Sequence, residues 1–375
     1  MPQDSTHPQP RTSTTANTQA LHAPHPLQPG DRVAVLSPAW AAPAYFPDLH
    51  TQSMERVRTL LELEPVEYPT TAMMGASPQA RAADLMAALT DPDVKAIFAS
   101  IGGDDLITVI PHLDGEALRA ASAENGAKAF FGYSDNTNLN HWLWQHGIAS
   151  YYGGSTMVHL GPAQIDDAHL QTLRAALFGT DLALPIPTES EDYGWDWSDP
   201  RSLTEPYLRL PSPPLEFIGP AQAVTGPTWG GCLEVLDQMA LAGRLPEPTQ
   251  LEGAILILET SEVLPPPDYV GRWVRAMGER GYLDAIAGLA FAQPVVEDRD
   301  HPAPEGTTPQ QRSQMREARR EAYTEYLLSN IAPYRTDLPV CLNLPFGHTR
   351  PQLVIPYGGQ LTLDPVAEVV TAHYR

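Results

Sequence analysis

The sequence predicts an α/β fold in two domains, and three observations carry that prediction. Short apolar runs alternate with longer stretches of helical periodicity, joined by short connections. Several of the apolar runs are continuous rather than alternating with polar residues, the mark of strands in a parallel sheet covered on both faces. The pattern breaks once, across residues 185–227, where Pro, Trp, Glu and Asp are dense, and then resumes.

The elements follow in order. Residues 1–28 hold Pro, Thr, Gln, Ser and His with almost no large apolar side chains. Burial there cannot offset ordering entropy, so a disordered tail is expected, with His7, His22 and His25 in solvent. Arg32–Leu36 reads as a strand closed by Ser37-Pro38, and a helical pattern covers about Leu49 to Leu61. Ser77-Pro78 has the form of an N-cap with Pro at the first helical position, opening a helix to about Leu89. Val94–Ile101 reads as a buried strand running into Gly102-Gly103. A helix fits Leu106 to about Ala121, then a buried strand Ala127–Tyr133 and a helix Asn136–Gln145.

In the second unit Trp229-Gly-Gly231 reads as the opening of a helix through Leu241. Ala254–Leu258 follows as a strand, Pro265 to about Arg280 as a helix and Ile286–Ala292 as a strand. Gln310–Ile331 is a long helix and Val340–Leu344 a strand. Leu353–Ile355 and Gln360–Leu363 read as a closing hairpin around Tyr357-Gly-Gly359. The expected division is a tail (1–28), an N-terminal α/β domain (29–165), a linker (166–227) and a C-terminal α/β domain (228–375).

Composition removes several function classes. The 375 residues carry 23 Lys and Arg against 45 Asp and Glu, a formal charge of −22. Such a surface repels phosphate backbones, so neither nucleic acid nor an anionic membrane is an expected partner. No run of 18 apolar residues offers a membrane span, and no secretory leader pattern is seen, so the expected compartment is the cytoplasm. The two cysteines, Cys232 and Cys341, form neither a disulfide framework nor a Cys/His metal pattern.

Ligands of parallel α/β sheets bind beyond the carboxyl ends of the strands. Ser134 lies there, in Gly132-Tyr-Ser-Asp-Asn136, between a buried strand and a helix. This has the form of a nucleophile elbow, with the Asp135 N–H at a helix start, although Asn136 stands where G-x-S-x-G has its second Gly. The segment serves equally as an N-cap built on Ser134 or Asp135. Gly102-Gly103 allows close backbone approach to a ligand, or makes an ordinary strand-to-helix turn. His348 follows the strand Val340–Leu344 and can act as a base or as a capping or core histidine. Glu259 ends Ile255–Leu258, where a carboxylate needs a partner or an open site. Glu262 is its competitor, expected in solvent. One Ser, one Glu and one His thus sit at strand ends, split between the two units.

Six ordered segments carry a resemblance. They are Gly30–Pro38, Ser100–Asp105, Phe131–Asp135, Trp229–Gly231, Leu256–Glu262 and Leu344–His348. Together they resemble the LD-carboxypeptidase family of serine peptidases, and within it the microcin-C-resistance branch. The resemblance implies a catalytic triad of Ser134, Glu259 and His348, with an oxyanion hole from the N–H groups of Gly103 and Asp135. It implies a flavodoxin-like N-terminal domain, a smaller C-terminal α/β domain, a homodimer, and neither metal nor organic cofactor. The branch cleaves an amide joining an aminoacyl group to a nucleotide-like moiety, and Trp195 and Trp197 lie where such enzymes place aromatics around the base. Stacking on a base and anchoring the linker on the core are both open for them. Arg350 is a candidate for binding a substrate carboxylate. Cys232 stands where the family often has Asn, and reads as a buried packing residue.

Three other readings compete: cleavage of LD-linked murein tetrapeptides on the same site, a binding protein that keeps the fold without chemistry, and an α/β-hydrolase esterase. The last is disfavoured by the missing G-x-S-x-G and the division into two α/β units.

Overall fold

A computed structural model describes residues 21–374. The first sheet takes Arg32–Leu36 (β1), Glu64–Glu67 (β2), Val94–Ala99 (β3), Ala129–Gly132 (β4) and Ser150–Tyr152 (β5). These run parallel in the order β2-β1-β3-β4-β5. This is the flavodoxin-like order, in which the chain reverses direction across the sheet between β1 and β3 and leaves a crevice at their carboxyl ends. β3 and β4 are buried almost throughout, as continuous apolar runs between two helix layers must be. The short strands β2 and β5 are additional to those legible in the sequence.

The second sheet takes Leu182–Ala183 (β6), Glu216–Ile218 (β7), Val224–Cys232 (β8), Ile255–Glu259 (β9), Gly288–Ala292 (β10), Val340–Leu344 (β11), Gln360–Asp364 (β12) and Val369–Ala372 (β13). Its order is β6-β13-β12-β8-β9-β10-β11-β7. The four central strands β8 to β11 are parallel and the flanking ones antiparallel. Two α/β units with parallel-strand sheets therefore form, as the alternation of patterns predicts.

Four local expectations are corrected. Trp229-Gly-Gly231 is strand, not helix: it lies in register on β9, Trp229 opposite Leu256, and the helix starts at Leu233. Two adjacent glycines disfavour a helix start, and sheet pairing takes the segment instead. The helix expected from Leu106 is broken into 3-10 turns at Leu106–Thr108 and Ile110–His112, followed by a helix at Gly115–Asn125. Pro111 has no N–H to give, and Asp114 accepts from the N–H groups of Glu116 and Ala117, which sets a new start. The closing hairpin does not form either. Ile355–Tyr357 crosses to the first sheet and pairs antiparallel with β5, whereas β12 pairs with β8 and β13. This crossing strand ties the two sheets together.

The fourth correction concerns the tail. His7 lies outside the described residues, but residues 21–28 run along the body. The His22 N–H donates to Gly147 O at 2.8 Å and the Leu27 N–H to Leu177 O at 2.8 Å. The Leu27 side chain is 2% exposed in the core formed with Val33, Val57 and Leu177. A lone Leu among polar residues carries no periodicity, so the sequence gives no signal for it. Leu27→Ala is expected to lower stability by about 2–4 kcal/mol, read from urea unfolding. A change within experimental error would mean that this segment is undocked in solution.

Residues 166–227 hold a helix at Asp167–Phe178, a short helix at Arg201–Thr204 and a two-stranded ribbon of Glu189–Ser190 with Leu210–Pro211. The ribbon carries Asp192 to Trp197 over the open end of the first sheet.

Candidate active site

A cleft of about 870 Å³ opens at the carboxyl ends of β1, β3 and β4. Its walls include Gly102, Gly103, Ser134, Glu262 and His348, with Trp195, Trp197 and Arg350 on the side of the ribbon. Glu259 and Asp135 lie behind this wall, buried.

Ser134 follows the end of β4 with φ +62°, the left-handed region that a side chain with a Cβ enters at a cost of about 1–2 kcal/mol. The turn is held in that shape. Asn136 donates through Nδ2 to Ile101 O at 3.2 Å and to Tyr133 O at 3.0 Å. The Asp135 carboxylate accepts from the Leu106 N–H at 2.9 Å and from Asn138 Nδ2 at 3.0 Å. Burial raises its carboxyl pKa to about 6, against the pull of the Leu106 hydrogen bond. The Gly102–Leu106 loop is fixed from its other side by Arg81, which binds Asp105 with both terminal guanidinium nitrogens at 2.7 Å. A Cβ on Gly102 would lie 3.0 Å from the Ser134 Cβ, so a side chain there would push the serine turn back by a few tenths of an ångström. Among the described residues the N–H groups of Gly103 and Asp135 meet no protein acceptor.

Glu259 ends β9 fully buried. Its Oε2 accepts a hydrogen bond from His348 Nδ1 at 2.6 Å, and its Oε1 accepts from the Tyr152 hydroxyl at 2.7 Å. Tyr152 in turn accepts from the Ser134 N–H at 3.2 Å. One hydroxyl at the end of β5 therefore joins the serine turn of the first unit to the carboxylate of the second. Sequence reasoning missed it; the available signal was a polar-tipped aromatic at a strand's carboxyl end, just before Gly153-Gly154. A Cβ on Gly347 would sit 2.9 Å from Glu259 Oε2, so glycine there lets His348 reach the acid.

His348 is also met at its other nitrogen. Glu262, expected in solvent, is 69% exposed but places Oε2 3.2 Å from His348 Nε2. The Tyr133 ring stands edge-on to the imidazole at 4.9 Å. Burial alone would lower the His348 pKa; Glu259 first, then Glu262 and the more distant Glu234 reverse this and push it up to about 9. The folded pKa exceeds the ordinary 6.5, so this pairing stabilises the fold fully below about pH 6.5, and the gain is lost as pH rises through about 9.

The ribbon side chains are partly committed. Arg201 lies 3.7 Å over the Trp195 ring, and Trp195 Nε1 donates to Pro206 O at 3.3 Å. Trp197 packs edge-on against Phe46 at 5.5 Å. Arg350 is held by Glu191 at 3.2 Å. Cys232 is buried, and burial pushes its thiol pKa well above the ordinary value, as suits a packing residue. Among the described residues no three His, Cys, Asp or Glu side chains group to hold a metal ion, and no helix is long and apolar enough to cross a membrane.

Comparison with known proteins bears on this arrangement. Residues 33–153 match the profile of the LD-carboxypeptidase N-terminal domain, and residues 225–363 that of the LD-carboxypeptidase C-terminal domain, in that order. The chain belongs to the LD-carboxypeptidase family. A Vibrio cholerae protein named as a predicted carboxypeptidase is 25% identical over 349 residues, 90% of this chain and 93% of that one. The microcin self-immunity protein MccF of Escherichia coli is 27% identical over 187 residues, 48% of this chain and 51% of that one. Among solved structures, an MccF-like protein from Streptococcus pneumoniae in complex with AMP superposes with a TM-score of 0.77 at 22% identity, covering 92% of this chain and 99% of that one. MccF in complex with aspartyl sulfamoyl adenosine gives a TM-score of 0.74 at 20% identity, covering 94% and 98%. At these identities the structural likeness establishes the fold. All eight site residues expected from the sequence fall in or directly behind the cleft of this family member.

Proposed function

We propose that this LD-carboxypeptidase family member is a serine amidase of the carboxypeptidase type, acting on aminoacyl- or peptidyl-nucleotide conjugates through Ser134, Glu259 and His348. The observation that carries the reading is the link between a left-handed serine turn and a buried Glu259–His348 pair at 2.6 Å, made by one tyrosine hydroxyl. In this reading Ser134 Oγ attacks the scissile carbonyl and His348 Nε2 takes its proton. Glu259 holds the imidazole in the tautomer with Nδ1 protonated and stabilises the imidazolium. The N–H groups of Gly103 and Asp135 receive the oxyanion, and each such donor is worth about 10²–10³ in rate. His348 then protonates the leaving nitrogen, and water releases the acyl group from Ser134.

The nucleotide part of the substrate is supported by the relatives: structures of MccF-type proteins hold AMP, aspartyl sulfamoyl adenosine and glutamyl sulfamoyl guanosine. Here Trp195 and Trp197 line the same cleft as Ser134, one face of Trp195 being covered by Arg201. We place the protein in solution rather than in a membrane, with a homodimer as its expected assembly.

The deciding experiment offers aminoacyl sulfamoyl adenosine and an LD-linked murein tetrapeptide to the wild type and to Ser134→Ala, with products read by mass spectrometry. Cleavage of the conjugate by the wild type, with a loss of at least about 10³-fold in the variant, is the expected result. Cleavage of the tetrapeptide alone would move the protein to murein chemistry. No Ser134-dependent cleavage of either would leave a binding role.

A pH dependence follows. The base must be neutral, and His348 in the free protein titrates at about 9. On a substrate with no group of its own titrating in this range, kcat/KM is therefore expected to rise with pH and level off above about pH 9. A plateau already reached at pH 7 would show that the imidazole does not carry the proton in the free enzyme.

A further inference from the structure

The atom that must accept the Ser134 proton, His348 Nε2, is occupied by the Glu262 carboxylate at 3.2 Å. Two features separate Glu262 from Glu259. Glu259 is fully buried with both oxygens engaged, whereas Glu262 is 69% exposed and makes no other polar contact among the described residues. Glu262 and its exposed neighbour Val263 sit in a turn that Leu264 closes with φ +54°, so the side chain can swing without disturbing the core.

The surrounding charges say what can replace His348 as its partner. The arginines of the cleft are already held: Arg81 by Asp105, Arg350 by Glu191, and Arg299 by Asp196 and Asp300. A substrate carboxylate beside the scissile bond would meet Glu262, and among the described residues each arginine of the cleft wall already faces a carboxylate. A substrate cation there would meet a carboxylate with nothing else to bind. In an aminoacyl conjugate the α-ammonium is on the carbon next to the scissile carbonyl. Attack by Ser134 brings that carbonyl within a few ångströms of His348 Nε2, and so within reach of Glu262.

We propose that Glu262 selects substrates with a free α-ammonium on the acyl side of the scissile amide, and moves from His348 Nε2 to that ammonium when they enter. The inference rests on the amidase reading above and narrows it to the aminoacyl conjugates, because a peptidyl group has its α-nitrogen acylated. The exchange also readies the base. In the resting protein the imidazolium is held by Glu259, Glu262 and, at longer range, Glu234, against His159 and the Tyr133 ring on its other sides. Transfer of Glu262 to the substrate ammonium removes one carboxylate from Nε2. The Nε2 proton then leaves to solvent, and neutral Nε2 faces Ser134.

The test uses aminoacyl sulfamoyl adenosine and its N-acetylated counterpart on the wild type, Glu262→Gln and Glu262→Ala. The wild type is expected to prefer the free amine by roughly 10–100-fold, the worth of one hydrogen-bonded charge pair. Both variants should bring that preference to within a few-fold, with kcat/KM for the N-acetylated substrate at pH 7 rising because His348 loses a carboxylate. An unchanged preference, or equal slowing of both substrates, would overturn the inference and leave Glu262 a residue that only holds His348. If the wild type cleaves neither conjugate, the amidase reading falls, and binding is then read by calorimetry on Ser134→Ala with and without Glu262→Gln. Loss of amine preference on removing Glu262 would keep the inference; equal affinities would end it.

Discussion

Glu259→Gln is expected to lower kcat by about 10³–10⁴-fold and to leave a folded protein. The carboxylate is fully buried and serves two donors at once: His348 Nδ1 at 2.6 Å and the Tyr152 hydroxyl at 2.7 Å. Gln keeps the shape but offers one oxygen and one NH₂. If the oxygen faces His348, the NH₂ meets the Tyr152 hydroxyl, which must then accept there and turn its own proton to another acceptor such as Thr137 Oγ1 at 3.3 Å. If the NH₂ faces His348, the imidazole must present an unprotonated Nδ1 and so carries its proton on Nε2, the wrong tautomer for a base. Either way the charge that steadies the imidazolium is gone. Rates on the cleaved conjugate, with thermal unfolding as a control, check this. Activity within about tenfold of wild type would mean that Glu259 is a structural acid and that the triad reading is wrong. Tyr152→Phe is the companion variant, since it removes the same link while keeping the charge.

What the sequence reveals and what it hides divide along a physical line. Strands buried on both faces are continuous apolar runs, and so β1, β3, β9 and β11 can be read almost to the residue. Polar groups where such runs stop are conspicuous, which is why Ser134, Glu259 and His348 stand out. Tyr152 does not, because its strand is three residues long and its partners Ser134 and Glu259 are 18 and 107 positions away in sequence. Glu262 is misread for a related reason: an exposed acid in a turn looks solvated, and only the folded chain brings His348 against it. The misassigned Trp229–Gly231 and the missing hairpin share one cause. Local propensity there is weak, and pairing with distant strands decides the outcome.

Removing one buried acid should test how the cleft wall is held. Asp192→Ala is expected to destabilise the protein by about 3–5 kcal/mol. Asp192 Oδ1 accepts from Arg316 and Arg320, both at 2.8 Å, and Oδ2 from the N–H groups of Val296 and Glu297 at 2.8 and 3.0 Å. The side chains of Arg316 and Arg320 are 2% and 6% exposed, and that of Asp192 is 0%. Burial already lowers the Arg320 pKa to about 10, with Asp192 opposing the fall. Without that carboxylate two guanidinium groups from the helix Pro309–Ile331 share the interior with less compensation, Glu297 remaining 3.8 Å from Arg316. Asp192→Asn keeps the shape and two acceptor lone pairs, and should cost less. The effect on activity should differ in kind from that of Glu259→Gln. Asp192 begins the segment that carries Tyr193, Trp195 and Trp197 along the cleft, and it touches neither Ser134 nor His348. A loosened wall weakens substrate binding and spares the chemical step, so KM should rise while kcat stays near wild type. Urea unfolding with steady-state kinetics separates the two. A stability loss under about 1 kcal/mol would show that water reaches the arginines when Asp192 goes. A fall in kcat with unchanged KM would mean that the ribbon positions the reacting groups themselves.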